Sequence, residues 1–277
     1  MSDADWRAAN LANWEERVAV HLGPGGYTLA DLRAGRPEFD PIVAAELPPL
    51  AGRRIVHLQC HFGADSLRLL QAGAAEIVGL DFSPAAIATA DGLAAELRLA
   101  DRARFVQADV YDALRAIPRP HDFDVAFVTW GAITWLPDMR EWARIVAALL
   151  RPGGIFVFAE GHPLAYVLDD RAATPGALPG YVAPYFQTEP IVDDDPSDYA
   201  DPQARLANAR TFQWCHTLGS VVTALIEAGL ALEHLREHDA VTWRMFRCLA
   251  EGGDGLYRWP DKPWLPLSFS LRASKRA

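Results

Sequence analysis

Short apolar runs alternate with helical segments between residues 54 and 160, and this alternation limits the possible folds more than any other feature. The runs are rich in Ile, Val and Phe and occupy residues 54–58, 76–80, 103–107, 124–130 and 154–159. Runs of this kind are typical of strands that are buried on both faces. Because strands joined by helices form right-handed crossovers, the pattern predicts a parallel sheet with helices on both sides.

Start and stop signals place the helices and the last strands. Ser83 and Pro84 predict an N-cap followed by a first helical turn, and Pro137 predicts a second helix start of the same type. Helical periodicity returns over residues 218–226. The strand-like runs 230–235 and 267–271 close the chain, with no helical pattern between them, so we expect them to pair antiparallel. The sequence predicts an α/β fold with a Rossmann-like, doubly wound sheet of seven strands, mostly parallel with one antiparallel strand.

Two segments lie outside this pattern. Residues 1–50 contain a helical stretch from about Trp6 to His21 and then glycine-rich and proline-rich sequence, which we interpret as a helical cap over the sheet. Residues 161–210 are rich in proline and aromatic residues and show little periodicity. Long irregular segments in compact domains are usually functional. We therefore predict one α/β domain, residues 51–277, with a lid-like insertion at 161–210.

Composition excludes several classes of protein. The chain has 277 residues with 36 acidic and 26 basic side chains, and its net charge of −10 disfavours binding to nucleic acid. No run approaches the roughly 20 apolar residues of a membrane-spanning helix, and the acidic N-terminus does not resemble a signal peptide. We expect a cytoplasmic protein with neither nucleic-acid nor membrane partners. A homodimer is left open. The three scattered cysteines are typical of reduced thiols.

Residues suited to ligand binding follow the predicted strands. In doubly wound sheets, ligands bind at the carboxyl ends of the strands. Gly63 lies in the turn after the first strand, where a glycine allows close approach of a ligand to the backbone. Asp81 ends the second strand, at the position where nucleotide-binding folds place an acid that accepts hydrogen bonds from ribose hydroxyls. Asp109 ends the third strand, and Thr129 and Trp130 end the fourth.

This set of strand-end residues resembles the class I methyltransferases that depend on S-adenosylmethionine (SAM). The Arg-Pro-Gly-Gly turn before the fifth strand is a further likeness. The sequence Leu-Gln-Cys-His-Phe-Gly at residues 58–63 is similar to a bacterial branch of these enzymes that acts on small molecules. His57, Gln59 and His61 stand where the usual motif has an acid and two glycines. The resemblance covers residues 50–160 best.

The resemblance implies SAM as cofactor and assigns residues to its parts. Gln59 or His61 would bind the methionine carboxylate of SAM or simply pack, which leaves two alternatives. The implied cofactor-binding residues are Gln59, His61 and Gly63 in the first loop, Asp81 and Phe82 at the ribose, Asp109 and Val110 at the adenine, and Thr129 and Trp130 near the methyl donor.

Candidate catalytic and substrate-binding residues lie further along the chain. Glu160 and His162 follow the fifth strand directly, and His162 is a candidate general base because imidazole titrates near neutral pH. The alternative is that His162 caps the turn before Pro163. The aromatic side chains expected to line an acceptor site are Trp135, Tyr181, Tyr185 and Tyr199.

The expected activity is methyl transfer to a small-molecule acceptor by in-line displacement. Two alternatives remain open: a SAM-using enzyme that does not methylate, such as a cyclase that releases methylthioadenosine, and a SAM-binding protein without catalysis. A dinucleotide oxidoreductase is disfavoured because no Gly-x-Gly-x-x-Gly turn follows any strand. A metal site is not expected, since His57, Cys60 and His61 do not form a four-ligand set.

Overall fold

The computed structural model describes residues 3–169, 179–201 and 203–276. Its helices are α1 (Asp3–His21), α2 (Ala30–Arg33), α3 (Pro41–Glu46), α4 (Ala64–Gln71), α5 (Pro84–Glu96), α6 (Ala113–Ala116), α7 (Met139–Leu149), α8 (Pro163–Tyr166) and α9 (Leu218–Glu227). Its strands are β1 (Arg54–Leu58), β2 (Glu76–Asp81), β3 (Ala103–Gln107), β4 (Phe123–Thr129), β5 (Leu150–Gly161), β6 (Ile191–Asp193), β7 (Thr211–Gln213), β8 (Leu230–His238), β9 (Ala240–Val241), β10 (Ala250–Glu251), β11 (Tyr257–Arg258) and β12 (Ser268–Lys275).

A seven-stranded sheet forms the centre of the fold, with the strand order β3-β2-β1-β4-β5-β12-β8. The strands from β1 to β5 pair in parallel, whereas β12 runs antiparallel to both β5 and β8. The predicted fold class, with one reversed strand, is therefore confirmed. The chain crosses over between β1 and β4, and this switch point opens a crevice at the strand ends.

The central strands β1, β2, β4 and most of β5 are buried on both faces, and their apolar residues point alternately to each side of the sheet. Phe156 and Phe158 pack with Trp142 of α7 on one face. Phe127 and Val157 belong to a second apolar cluster on the other face, together with residues of α3 and α4. All of these side chains are fully or almost fully buried. This burial explains why the strands appear in the sequence as nearly continuous apolar runs.

The structure differs from the sequence predictions at two places. Helix α7 begins at Met139, because the carboxylate of Asp138 accepts hydrogen bonds from the backbone N–H groups of Arg140 and Glu141. Pro137 therefore precedes the helix and does not open it. The segment between β8 and β12 contains a three-stranded sheet of β9, β10 and β11, which the sequence did not reveal because each strand has only two residues.

Helix α1 lies against the strand ends and is tied to the segment that follows residue 190. The amide of Asn10 donates to the backbone carbonyl of Phe212 and accepts from its N–H group. Asn13 donates to the carbonyl of Asn208. Because both asparagines are almost fully buried, these bonds fix how the two segments sit together. Among the described residues, no helix combines the length and apolar character needed to cross a bilayer.

Candidate active site

A cavity of about 1460 Å³ lies at the carboxyl ends of β1, β2, β3 and β4. Its walls come from the loops after these strands, from α1, from residues 191–199 and from the loop at residues 242–247. Pockets for a single small ligand usually measure roughly 300–1,000 Å³. The cavity is therefore large enough for two ligands side by side.

The loop after β1 has an unusual backbone. Gln59 and His61 have φ angles of 55° and 49°, a left-handed conformation that non-glycine residues rarely adopt. Gly63 shares this conformation with a φ of 74°, and a Cβ atom there would lie 2.7 Å from the Phe105 ring. Only glycine fits at this position. Backbone strain of this kind is concentrated at functional sites.

The carboxylate of Asp81 is buried at the end of β2. It accepts hydrogen bonds from the backbone N–H groups of His61, at 2.8 Å, and Ser83, at 3.0 Å. Burial raises the pKa of Asp81 to about 6, because these hydrogen bonds only partly offset the loss of solvation. Each carboxylate oxygen retains a lone pair, so the group can accept further hydrogen bonds from a ligand.

Asp109 lies beyond the end of β3 and holds the next turn. Its carboxylate accepts from the backbone N–H of Tyr111, at 2.9 Å, and pairs with Arg7 of α1, at 2.8 Å. Asp109 and the neighbouring Val110 both line the cavity. The ion pair therefore joins α1 to the strand ends beside the cavity.

The loop after β4 is fixed by Glu160 of β5. The Glu160 side chain is 1% exposed, and burial raises its pKa despite the hydrogen bonds that it accepts. The donors are the backbone N–H groups of Gly131, Ala132, Ile133 and Gly161 and the hydroxyl of Tyr166. Trp130, with a φ of 50°, projects from this loop and donates its indole N–H to Asp40. Glu160 thus shapes one wall of the cavity from behind.

The structure brings most of the predicted site residues to the cavity. Those that line it are Gln59, His61, Asp81, Phe82, Asp109, Val110, Thr129, Trp130, Trp135 and Tyr199. Gly63, Glu160, His162, Tyr181 and Tyr185 are not part of the lining. Tyr181 is 75% exposed, and the hydroxyl of Tyr185 accepts a hydrogen bond from the backbone N–H of Leu218.

His162 has local partners that occupy both of its ring nitrogens. Its Nε2 is 3.0 Å from the carboxylate of Glu237, and its Nδ1 accepts from the backbone N–H of Leu164. Burial lowers the pKa of His162 more strongly than Glu237 raises it. These contacts match the alternative interpretation, a histidine that caps the turn before Pro163.

The geometry at His162 gives a testable expectation. Replacing His162 by glutamine removes the titratable ring but leaves the cavity lining unchanged. We expect SAM affinity and any methyl transfer rate to stay within about threefold of the parent protein, because His162 lies outside the cavity lining and its ring contacts only Glu237 and the backbone of Leu164. Calorimetry and product formation would measure both. A loss of turnover with intact SAM affinity would instead make His162 a catalytic residue.

The side chains that α1 places beside the cavity were not predicted from the sequence. Trp14, Arg17 and His21 lie on one face of this helix, and Arg17 and His21 are buried although they are polar. Arg17 and His21 both contact the carboxylate of Asp198, at 2.7 and 3.1 Å. The sequence held one signal for these buried polar residues. They recur at helical spacing within a helix that also carries apolar residues. Their partner Asp198 lies far away in sequence and could not be anticipated.

The residues of the cavity fit SAM. The side-chain oxygen of Gln59 is buried and has no hydrogen-bond partner, while its amide nitrogen donates to the carbonyl of Ala132. An ammonium group such as that of the methionine part of SAM would satisfy this oxygen. Asp81 can accept from a ribose diol. Among the described residues, no group of three or more His, Cys, Asp or Glu side chains could hold a metal ion.

Comparison with known proteins agrees with this geometry. A family model described as a methyltransferase domain matches residues 56–156. The chain is also similar to a SAM-dependent methyltransferase from Mesorhizobium loti, with a TM-score of 0.58 and 25% sequence identity over 85% of this chain and 96% of that chain. Residues 56–156 therefore form a SAM-dependent methyltransferase domain. Its cofactor is therefore SAM.

Two further solved structures resemble this methyltransferase. The [4+2]-cyclase SpnF has a TM-score of 0.56 and 17% identity over 99% of this chain and 96% of that chain. Geranyl diphosphate C-methyltransferase from Streptomyces coelicolor, solved with S-adenosylhomocysteine, has a TM-score of 0.54 and 16% identity over 95% of this chain and 84% of that chain. At these identities the likeness concerns the fold alone. No curated protein matches the methyltransferase significantly in sequence.

Proposed function

We propose that this protein transfers a methyl group from SAM to a small-molecule acceptor bound in the same cavity. The main support for this proposal is the size of the cavity. It measures about 1460 Å³ and extends from Asp81 and Asp109 to the loop at residues 242–247. A cofactor held at the strand ends leaves space for a second molecule of small size. The net charge of −10 argues against a nucleic-acid acceptor.

Cofactor binding would use the loops after the first four strands. The carboxylate of Asp81 would accept hydrogen bonds from the ribose hydroxyls, and Gln59 would accept one from the methionine ammonium group. Asp109 and Val110 would lie beside the adenine. When bound, SAM supplies an electrophilic methyl group. The protein then has to align the acceptor with that group and exclude water.

The acceptor would lie against an aromatic and apolar wall. Trp130, Trp243, Met245 and Phe246 line this part of the cavity, and the rings of Trp130 and Trp243 meet edge to face with centroids 6.0 Å apart. Aromatic faces attract a positively charged sulfonium by about 1 kcal/mol or more when water is excluded. Such a wall favours an acceptor with substantial apolar surface. In this proposal residues 3–50 form a cap, and the described parts of the insertion, residues 161–169, 179–201 and 203–210, form a lid over both ligands. Residues 1–2, 170–178 and 202, which the predicted cap and lid also included, lie outside the described residues.

Incubation with SAM and a panel of small molecules tests the proposed reaction. The panel would contain phenols, carboxylic acids, amines, thiols and compounds with activated carbon atoms, and mass spectrometry would detect S-adenosylhomocysteine and the methylated product. We expect both to form in equal amounts with at least one acceptor class. Methylthioadenosine formed from SAM alone would indicate a cyclase. SAM binding without any product would indicate a protein that binds SAM and does not catalyse.

The pKa of Asp81 predicts how SAM affinity depends on pH. The ionised carboxylate accepts hydrogen bonds from ribose, whereas the protonated form has lost part of this capacity. Because the pKa of Asp81 is about 6, affinity should be constant above pH 7 and fall as the pH drops through 6. At pH 5 roughly nine in ten carboxyls are protonated, so the dissociation constant should rise about tenfold.

Calorimetric titration with SAM between pH 5 and pH 8 measures this dependence. The matched control is Asp81→Asn, which cannot ionise and should bind weakly at every pH with little change across the range. An equally steep pH dependence in Asp81→Asn would show that another group is responsible.

A further inference from the structure

Two imidazole rings beside the cavity each have a buried nitrogen atom without a hydrogen-bond partner. These atoms are Nδ1 of His21 and Nε2 of His61. The ring centroids lie 5.1 Å apart and the ring planes are inclined by 44°. This separation lets a nitrogen of one ring hydrogen-bond to a nitrogen of the other when both point along the line between the two rings. Buried polar atoms without partners are rare and require an explanation.

The carboxylate of Asp198 determines where His21 carries its proton. Oδ2 of Asp198 lies 3.1 Å from Nε2 of His21 and also accepts from Arg17, at 2.7 Å. Burial alone would raise the pKa of Asp198, but the hydrogen bond from His21 and the nearby charges outweigh it and lower the pKa below its ordinary value. Asp198 is therefore a carboxylate that can only accept. His21 therefore donates through Nε2, and in the neutral ring Nδ1 is then an acceptor.

The two histidines differ in their access to the cavity. His61 lines it, whereas His21 is fully buried behind His61 among the rings of Trp14, Tyr27 and Tyr199. A proton taken up at the cavity would therefore reach His21 through His61. Burial, followed by the proximity of His21, lowers the pKa of His61 to about 3, so the neutral ring carries one proton and does not keep a second. His21, in contrast, has the carboxylate of Asp198 as a partner 3.1 Å from its Nε2.

We propose that His61, His21 and Asp198 form a proton relay that carries away the proton of the methyl acceptor. The proposal rests on the proposed function and adds three residues to it. As the acceptor atom forms its bond to the methyl group and the sulfur–methyl bond breaks, the acceptor's proton passes to Nδ1 of His61. The proton on Nε2 of His61 passes to Nδ1 of His21. The result is a His21 imidazolium beside the Asp198 carboxylate, an uncharged thioether and a methylated acceptor.

The other polar side chains around His21 do not accept the acceptor's proton in its place. Arg17 is a permanent cation and accepts no proton. The hydroxyls of Tyr27 and Tyr199 lie 2.6 Å apart, and burial raises the pKa of both, that of Tyr199 to about 12. Both phenols therefore remain neutral during a proton transfer near pH 7. The relay is most important for acceptors that bind in protonated form, such as alcohols and phenols.

One test needs no acceptor. Nitrogen-15 NMR of the complete protein, labelled in its histidine rings and bound to S-adenosylhomocysteine, reports which ring nitrogen carries the proton. The relay requires His21 and His61 to be neutral at pH 7.5 with the proton on Nε2. A proton on Nδ1 of His21 would overturn the relay. Absence of S-adenosylhomocysteine binding would instead contradict the proposed function. The experiment therefore distinguishes a failure of the relay from a failure of the proposed function.

The second test compares two probe acceptors in single turnovers with SAM. Phenol is protonated at pH 7.5, whereas 4-nitrothiophenol is already ionised. His21→Gln retains a donor for Asp198 but cannot relay a proton. It should slow the methylation of phenol by at least about 30-fold, whereas the methylation rate of the thiolate should stay within about threefold of the parent protein. His238→Gln replaces a half-buried histidine that is hydrogen-bonded to Ser270; it serves as the control and should change neither rate. Equal losses on both probes, or no loss on phenol, would refute the relay.

Discussion

Alanine at position 81 is expected to weaken SAM binding by about 100-fold or more. The carboxylate of Asp81 accepts hydrogen bonds from the backbone of the loops after β1 and β2 and lies in the cavity wall. Each hydrogen bond to a charged group contributes about 1.5–3 kcal/mol, so the loss of two ribose contacts alone corresponds to this factor. Isothermal titration calorimetry with SAM measures the change directly.

The matched control is Asp194→Ala. Asp194 is an exposed aspartate that pairs with Arg210 and lies outside the cavity lining. Its replacement should leave SAM affinity within about twofold, since exposed ion pairs contribute little. Circular dichroism would establish that both variants are folded. Equal affinity of Asp81→Ala and the parent protein would refute the assignment of Asp81 to the cofactor.

Replacement of Glu160 by alanine is expected to lower the free energy of unfolding by about 3 kcal/mol or more. The carboxylate accepts from several backbone N–H groups of the loop after β4, for example those of Gly131 and Ala132 at 2.6 and 2.7 Å. Alanine would leave these buried donors without partners, at about 1–3 kcal/mol each. Urea denaturation followed by fluorescence measures the loss.

Two further variants define the role of Glu160. Glu160→Gln retains one acceptor oxygen and should lose less stability than Glu160→Ala. Glu227→Ala removes an exposed carboxylate that pairs with Arg140 and should change stability by less than about 0.5 kcal/mol. If Glu160→Ala were as stable as the parent protein but inactive, Glu160 would be a catalytic residue and not a support for the loop.

The sheet could be predicted from the sequence because its signals are local. The run at residues 54–58 coincides with β1, which is buried along its whole length, since buried parallel strands consist largely of apolar residues. The run at residues 103–107 coincides with β3, whose residues are half-buried or exposed because this strand lies at the edge of the sheet. The start of α7 was wrong by two residues because Asp138, and not Pro137, provides the hydrogen bonds of the first turn. The small sheet of β9, β10 and β11 gave no periodic signal at all.

The site was predictable only where it follows the strands. Asp81 and Asp109 are found at the cavity because the carboxyl ends of parallel strands meet at one edge of the sheet. The contacts of His21 with Asp198 and of Asn10 with Phe212 join residues that are distant in the chain. Such pairings depend on how α1 docks, which no local pattern specifies.

A crystal structure of the complex with S-adenosylhomocysteine would show where each part of the cofactor binds. We expect both ribose hydroxyls to donate to the carboxylate of Asp81 and the adenine to lie beside Asp109 and Val110. We also expect the sulfur to face the remaining cavity, which Trp130, Trp243 and Phe246 line. A ribose bound away from Asp81, or a sulfur that faces a closed wall without room for an acceptor, would contradict these expectations.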